Sequence, residues 1–195
     1  MAAEPIALIG DYSAVLLDEE EFVPLFRQYR PRVFANTLKV FPGQLMSEGE
    51  TKAVQDLSRR LGTLYRLNLG IYHDGQFIGW SFGVQADGDR FSMINTGILP
   101  DHQGKGVYTA LLPRILEILQ AQGFQVVFSR HVVTNNRVLV PKLKAGFVIT
   151  HLELSDTFGL LVHLSYFFNP RRRKLLDFRA GQLAPDDELK GLLEL

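Results

Sequence analysis

The sequence predicts a mixed α/β (α+β) protein built on a mostly antiparallel sheet of about seven strands. Two Asp-Gly signals, Asp74-Gly75 and Asp87-Gly88, join three successive apolar runs, and such pairs favour tight hairpins, so the three runs form an antiparallel meander. After Gly106 the period changes: Val107, Leu111, Ile115 and Ile118 recur at helical spacing. A further β-branched and aromatic run, "FQVVFSRHV", follows that helix. A helical crossover requires the strands around Ile98 and Val127 to run parallel, with a right-handed connection.

Taken in order, Tyr12 to Leu17 reads as a first strand. The acidic "DEEE" from Asp18 to Glu21 suits the positive end of a helix that continues through "FVPLFRQY". A second helix is expected across "EGETKAVQDLSRRLG", with Gly62 as its stop. The meander strands are "TLYRLNLGIY", "QFIGWSFGVQ" and "RFSMINTGIL". Beyond the crossover helix, which Gly123 ends, and the strand near Val127, "NNRVLVPKLKAGF" starts with cap-forming side chains and stops at Gly146. "FVITHLEL" and "GLLVHLSYFF" supply the last two strands. Pro113 and Pro141 lack an N–H and should kink their helices or delay their starts.

Composition removes several function classes. At 195 residues the chain is about one domain, and 46% apolar with 22% charged residues marks an ordinary globular protein. Twenty-one basic against twenty-one acidic side chains give no net charge, which argues against a general nucleic-acid or anionic-membrane binder. There is no Cys, hence no disulfide, thiolate metal site or cysteine nucleophile. The N-terminus has no basic and apolar leader, and no run reaches the ~18 residues of a membrane span, so a cytoplasmic location is expected.

The chemistry-bearing stretch is "NTGILPDHQGKGVYTALLPRILEILQAQG", Asn95 to Gly123, where a strand breaks at Pro100 and Gly104 and Gly106 precede a helix. Glycines there let backbone N–H groups face an anion, and the helix dipole adds attraction; a tight strand-to-helix turn would use the same residues. It is not a P-loop, because Lys105 is followed by Gly106 rather than Ser or Thr. A Rossmann fingerprint would need a third glycine where Thr109 stands.

"QGKGVY" after a strand ending "ILP", with "NNRVLVPKLKAGF" downstream and this element order, resembles the GNAT superfamily of acyl-CoA-dependent N-acyltransferases. Its motif is Gln/Arg-x-x-Gly-x-Gly/Ala; Gln103 and Gly106 match, whereas Tyr108 stands where Gly or Ala is usual. The resemblance implies a twisted sheet with helices on both faces, splayed between its fourth and fifth strands, across a domain of residues 12–170. A tail of residues 171–195, partly helical, follows. It implies acetyl-CoA as co-substrate and an amine acceptor, a small molecule or peptide. The pyrophosphate would rest on the amides between Gln103 and Tyr108, with Gln103, Gly104, Lys105, Gly106, Val107, Tyr108 and Thr109 as cofactor-binding residues. The pantetheine arm would run as an added strand beside Ile98 and Leu99. Gly97 would be the bulge that starts the splay, and Asn135 either contacts the cofactor or caps the second helix.

Transfer to an amine needs a deprotonated amine, oxyanion donors and a proton for the leaving thiolate. An amide near Leu99 is one donor candidate. The resemblance implies a Tyr as acid at the position that Lys142 occupies here; replacements are Tyr108, Tyr166 or solvent. Asn95, Ser129 and His131 are candidates for the base, and of these only His131 titrates near neutrality. Lys142 itself is expected to point to solvent, with water delivering the proton.

Other readings remain open. A GNAT-like domain without the usual acid would bind acyl-CoA as a sensor or scaffold. "GWSFG", Gly79 to Gly83, matches the Gly-x-Ser-x-Gly elbow of serine hydrolases, but an elbow needs a strand, a sharp turn and a helix, and Ser81 lies between two hairpin turns. The five His residues show no metal-ligand spacing, so no metal is expected. "RRRK" at Arg171 to Lys174 reads as a solvated helix face, and the tail docks either on the domain or on a second copy of the chain, as a homodimer.

Overall fold

A computed structural model describes residues 4–34 and 44–194. Its sheet has eight strands: β1 (Ile6–Ala7), β2 (Tyr12–Leu16), β3 (Arg66–His73), β4 (Gln76–Gln85), β5 (Arg90–Ile98), β6 (Val126–Val132), β7 (Val148–Ser155) and β8 (Gly159–Phe167). They lie in the order β1-β2-β3-β4-β5-β6-β8-β7, antiparallel throughout except where β5 runs parallel to β6. The two-residue β1 is the strand beyond the seven expected. Among the described residues six α-helices accompany the sheet: α1 (Glu19–Val33), α2 (Glu48–Arg59), α3 (Val107–Ala121), α4 (Asn136–Lys144), α5 (Pro170–Arg179) and α6 (Asp187–Leu193).

The local chemistry follows the sequence closely at most ends. Asp18 with Glu21, and Ser47 with Glu50, form reciprocal capping boxes that satisfy the first free N–H groups of α1 and α2. The β3–β4 turn has positive φ at both Asp74 and Gly75, as a two-residue hairpin requires. The β4–β5 turn works differently. Gly88 does not have positive φ; instead the Asp87 carboxylate accepts from the N–H groups of Asp89 and Arg90, at 3.2 and 3.0 Å. Pro113 lies inside an unbroken α3 and Pro141 inside α4, so neither delays a helix start.

Alternation along β4 sorts the core. Trp80 and Phe82 face α1, where Trp80 joins Phe22 and Phe77 in one aromatic cluster. Across the sheet, Leu111, Leu112 and Ile115 of α3 and Leu139 of α4 pack with Phe91, Met93 and Val127. The tail folds back on the domain: Arg172 pairs with Asp89, Arg173 donates to the carbonyl of Gly146, and α6 is held to α5 by ion pairs of Arg171 and Lys174 with Glu188.

What positions the site is a seam that opens. β5 and β6 pair from Arg90 and Val126 only as far as Met93 and Ser129. Beyond that point β5 continues to Ile98 beside β4, and β6 continues to Val132 beside β8. The register of β5 on β4 slips at the same level, with Phe82 opposite Asn95 but Gly83 opposite Met93. The extra residue is Ile94, so the bulge lies there and not at Gly97. Gly97 serves another purpose: a Cβ on it would come within 2.4 Å of the Trp80 indole.

Candidate acyl-donor site

Three edges frame the opening: the free side of β5, the free side of β6, and the loop leading into α3. Gly104 and Gly106 both have positive φ, 75° and 78°, which is why glycine stands at both positions. Gly106 is the N-cap of α3 and supplies no side chain, and the first turn carries no acid. Unlike α1 and α2, α3 therefore presents its first N–H groups uncapped, together with the positive end of its dipole.

Gln103 fixes this loop. Its side-chain amide donates to the carbonyl of Ile98 at 2.8 Å, and its oxygen accepts from Arg137 of α4, also at 2.8 Å. Arg137 is a basic residue in the first turn of a helix, against the dipole, and sequence reasoning missed it. With Lys105 it adds positive charge beside the bare amides. Asn135 precedes it as N-cap of α4 but makes no side-chain cap bond.

The β5 edge is also specific. The N–H of Leu99 donates to the carbonyl of Ile78 at 2.8 Å, and the Leu99 side chain is buried in the main core. Antiparallel pairing alternates, so Gly97 and Asn95 likewise turn to β4, while the N–H groups of Ile98 and Thr96 face the open seam. The Leu99 N–H is therefore taken, and near it the N–H groups of Ile98 and Thr96 are those that face the opening. Val107 is buried in the same core and can offer only its backbone.

The candidate acid and base residues fall in different places. Asn95 faces the α1 side, where its oxygen accepts from the Trp80 indole at 2.8 Å. Tyr166 pairs with Val127, two positions before the seam opens, and its ring packs on Phe147 and Phe168. Tyr108 is half-buried on the first turn of α3, and burial raises its phenol pKa well above the ordinary value. His131 lies on the open stretch of β6, with Nε2 2.9 Å from the hydroxyl of Ser129. Burial, with Lys142 as a second cause, lowers the His131 pKa to about 3, so its imidazole is neutral and a weak independent base.

Lys142 does not point to solvent. Its side chain is 0% exposed, and Nζ donates to the Ser129 hydroxyl at 2.8 Å and to Sδ of Met93 at 3.1 Å, with the Phe147 ring 4.4 Å away. Leu139 and Lys142 are the buried residues of α4, three apart on one helical face, so the core packs over the lysine stem. Desolvation lowers its pKa to about 7. Met93 and Ser129 are the last paired residues of β5 and β6, which puts the amine at the floor of the opening.

The hydrolase alternative fails on geometry. Ser81 sits in the middle of β4, 3% exposed, hydrogen-bonded to Thr96 at 2.9 Å, and the strand continues past it to Gln85 instead of turning into a helix. Two histidine and carboxylate groups that linear spacing did not reveal do come together, His151 with Glu153 and His163, and Asp11 with His73 and Asp74. In the first, Arg130 already bonds the carboxylate at 3.1 Å, a cation that opposes a metal there. Among the described residues, no helix is long and apolar enough to cross a membrane.

Comparison with known proteins agrees with this geometry. No curated protein matches the sequence. Among solved structures, the chain is similar to the ribosomal-protein-S18-alanine N-acetyltransferase from Escherichia coli, with 17% identity over 81% of this chain and 94% of that one, and a TM-score of 0.60. It is similar to an acetyltransferase from Salmonella typhimurium solved with its cofactor acetyl-CoA, with 15% identity, 82% and 95% coverage and a TM-score of 0.60. An N-acetyltransferase from Staphylococcus aureus gives 13% identity, 82% and 100% coverage and a TM-score of 0.58. The sequence model of the Acetyltransferase (GNAT) family matches residues 34–147, more than half of the chain. With that match, the open β5–β6 seam and the bare loop of α3, the chain belongs to the GNAT acetyltransferase family.

Proposed function

We propose that this protein moves an acetyl group from acetyl-CoA directly to a primary amine, using residues 12–170 as the acyltransferase domain and the tail as a buttress. The observation that carries the reading is the seam between β5 and β6, open beyond Met93 and Ser129 and headed by the uncapped N-terminus of α3. The pyrophosphate would lie on the amides from Gln103 to Thr109, with Lys105 and Arg137 adding charge and Asn135 offering an uncommitted side chain. The pantetheine arm would extend along the free edge of β5, bonding to the backbone of Thr96 and Ile98.

In the transfer the amine lone pair attacks the thioester carbonyl carbon. The developing oxyanion takes a hydrogen bond from a seam-facing N–H, Ile98 or Thr96, already fixed by the β4 pairing. The C–N bond forms, the C–S bond breaks, and one proton must pass from the amine to the sulfur.

A thermal-shift series tests this reading, with acetyl-CoA, longer acyl-CoAs and free nucleotides, followed by turnover against a panel of amines. Stabilisation by acetyl-CoA with release of free CoA in the presence of an amine supports it. Stabilisation without turnover for any amine points to a domain that binds acyl-CoA as a sensor, and no stabilisation removes the reading.

A further inference from the structure

We infer that Lys142, Ser129 and His131 form a proton wire in the floor of the seam, with Lys142 holding the proton that the sulfur of the acyl donor receives. The inference rests on the acyl-transfer reading above and assigns the proton traffic that reading leaves open.

The wire is continuous in the structure. Nζ of Lys142 is 2.8 Å from Oγ of Ser129, and that oxygen is 2.9 Å from Nε2 of His131. Ser129 is 1% exposed and Lys142 0%, so the inner end is sealed, while His131 is half-buried on the stretch of β6 that has left β5. A sealed amine is normally matched by a carboxylate, since an unpaired buried ammonium is costly. Among the described residues, no carboxylate hydrogen-bonds or pairs with this amine. Its neighbours are a hydroxyl, a thioether and an aromatic face; beyond them lie His131, bonded to Ser129, and Tyr166, packed on Phe147. Such surroundings accept a lysine that is neutral part of the time. Burial holds its pKa at about 7, and its charge in turn depresses His131, so the wire holds one extra proton and not two.

The steps balance. The attacking amine gives up its proton to Nδ1 of His131, which releases the Nε2 proton to Ser129, whose hydroxyl proton passes to the neutral Nζ of Lys142. When the C–S bond breaks, the same three transfers run in reverse and deliver the proton to the thiolate. Lys142 returns to the neutral amine, and the products are the amide and free CoA thiol. No imidazolium accumulates, which agrees with the low basicity of His131. Tyr166, on the paired part of the sheet, is not needed.

If the wire reaches the sulfur, Lys142 and the CoA thiol titrate as a coupled pair. The test measures the thiolate absorbance of bound CoA against pH in the parent and in Lys142→Met, which keeps the volume and removes the amine. Below about pH 7, where Lys142 is charged, the parent should hold about tenfold more thiolate than the variant, and the two curves should converge above that pH as the lysine becomes neutral. A parent-only measurement removes dependence on the variant's folding: in ε-15N-lysine spectra, CoA should raise the Lys142 titration midpoint, and desulfo-CoA, which lacks the sulfur, should not. Superimposable thiol curves, or equal midpoints with both ligands, would overturn the wire and leave the acyl-transfer reading intact. Failure of CoA to bind the parent would overturn that reading, and the wire with it.

Discussion

Arg137 and Gln103 are joined across the mouth of the seam by a 2.8 Å hydrogen bond, and the Gln103 amide continues the link to the carbonyl of Ile98. One side chain thus ties the α3 loop to β5 and to α4. Arg137→Ala removes this brace and, on the proposed reading, a charge beside the pyrophosphate, and a charge-assisted bond is worth about 1.5–3 kcal/mol. Acetyl-CoA affinity should fall about tenfold or more in calorimetry, and the loss should shrink at high salt, because charge screening weakens the parent.

The second link lies on the opposite face. The indole N–H of Trp80, 0% exposed, has the Asn95 oxygen as its partner, and Gly97 is bare because the indole lies over it. Asn95→Ala orphans a buried donor and should cost about 1–3 kcal/mol in denaturant unfolding. As the chain has one Trp, its fluorescence reads this site directly.

Lys142 makes stability depend on pH. Its folded pKa is lowered to about 7, against ~10.4 for an unfolded lysine, so between those values the unfolded chain binds a proton that the folded one has released. Stability from this group therefore rises as pH climbs from about 7 to ~10, by up to ~1.4 kcal/mol per unit. Lys142→Met should lack that slope, and its advantage over the parent should be largest at pH 7 and below. Thermal unfolding of both proteins at pH 6, 8 and 10 checks it; parallel curves would mean the amine is not desolvated in solution.

Ser81 should be inert. Buried in β4 against Thr96, it should not react with a fluorophosphonate probe, and Ser81→Ala should keep acetyl-CoA binding within about twofold. Stoichiometric labelling at Ser81 would bring back the hydrolase reading.

The strands and the bare loop were legible because their signals are local: alternating apolar runs, Asp74-Gly75, and the two glycines before Val107. The floor of the seam was not, because Lys142 reads as a solvated helix residue until the position of Leu139, one turn earlier on the same face, is weighed. A lone serine within the apolar "VVFSRHV" was the matching hint that something polar is buried opposite it. The role first given to Gly97 went to Ile94, since a bulge is a property of pairing between two strands and leaves no mark on one. Which amide near Leu99 faces the seam was hidden for the same reason, because it depends on register with β4.

The central claim is that the loop from Gln103 to Thr109 binds the pyrophosphate of acetyl-CoA, and a thermal-unfolding titration of the parent and of Gly106→Glu tests it most directly. The glutamate would bring bulk and like charge to a residue at φ 78° and should abolish binding, with circular dichroism confirming that the fold is kept. At a hundred times its dissociation constant, acetyl-CoA should stabilise the parent by about 2.7 kcal/mol and leave a folded Gly106→Glu unchanged. Equal stabilisation of both, or none of the parent, would contradict the assignment.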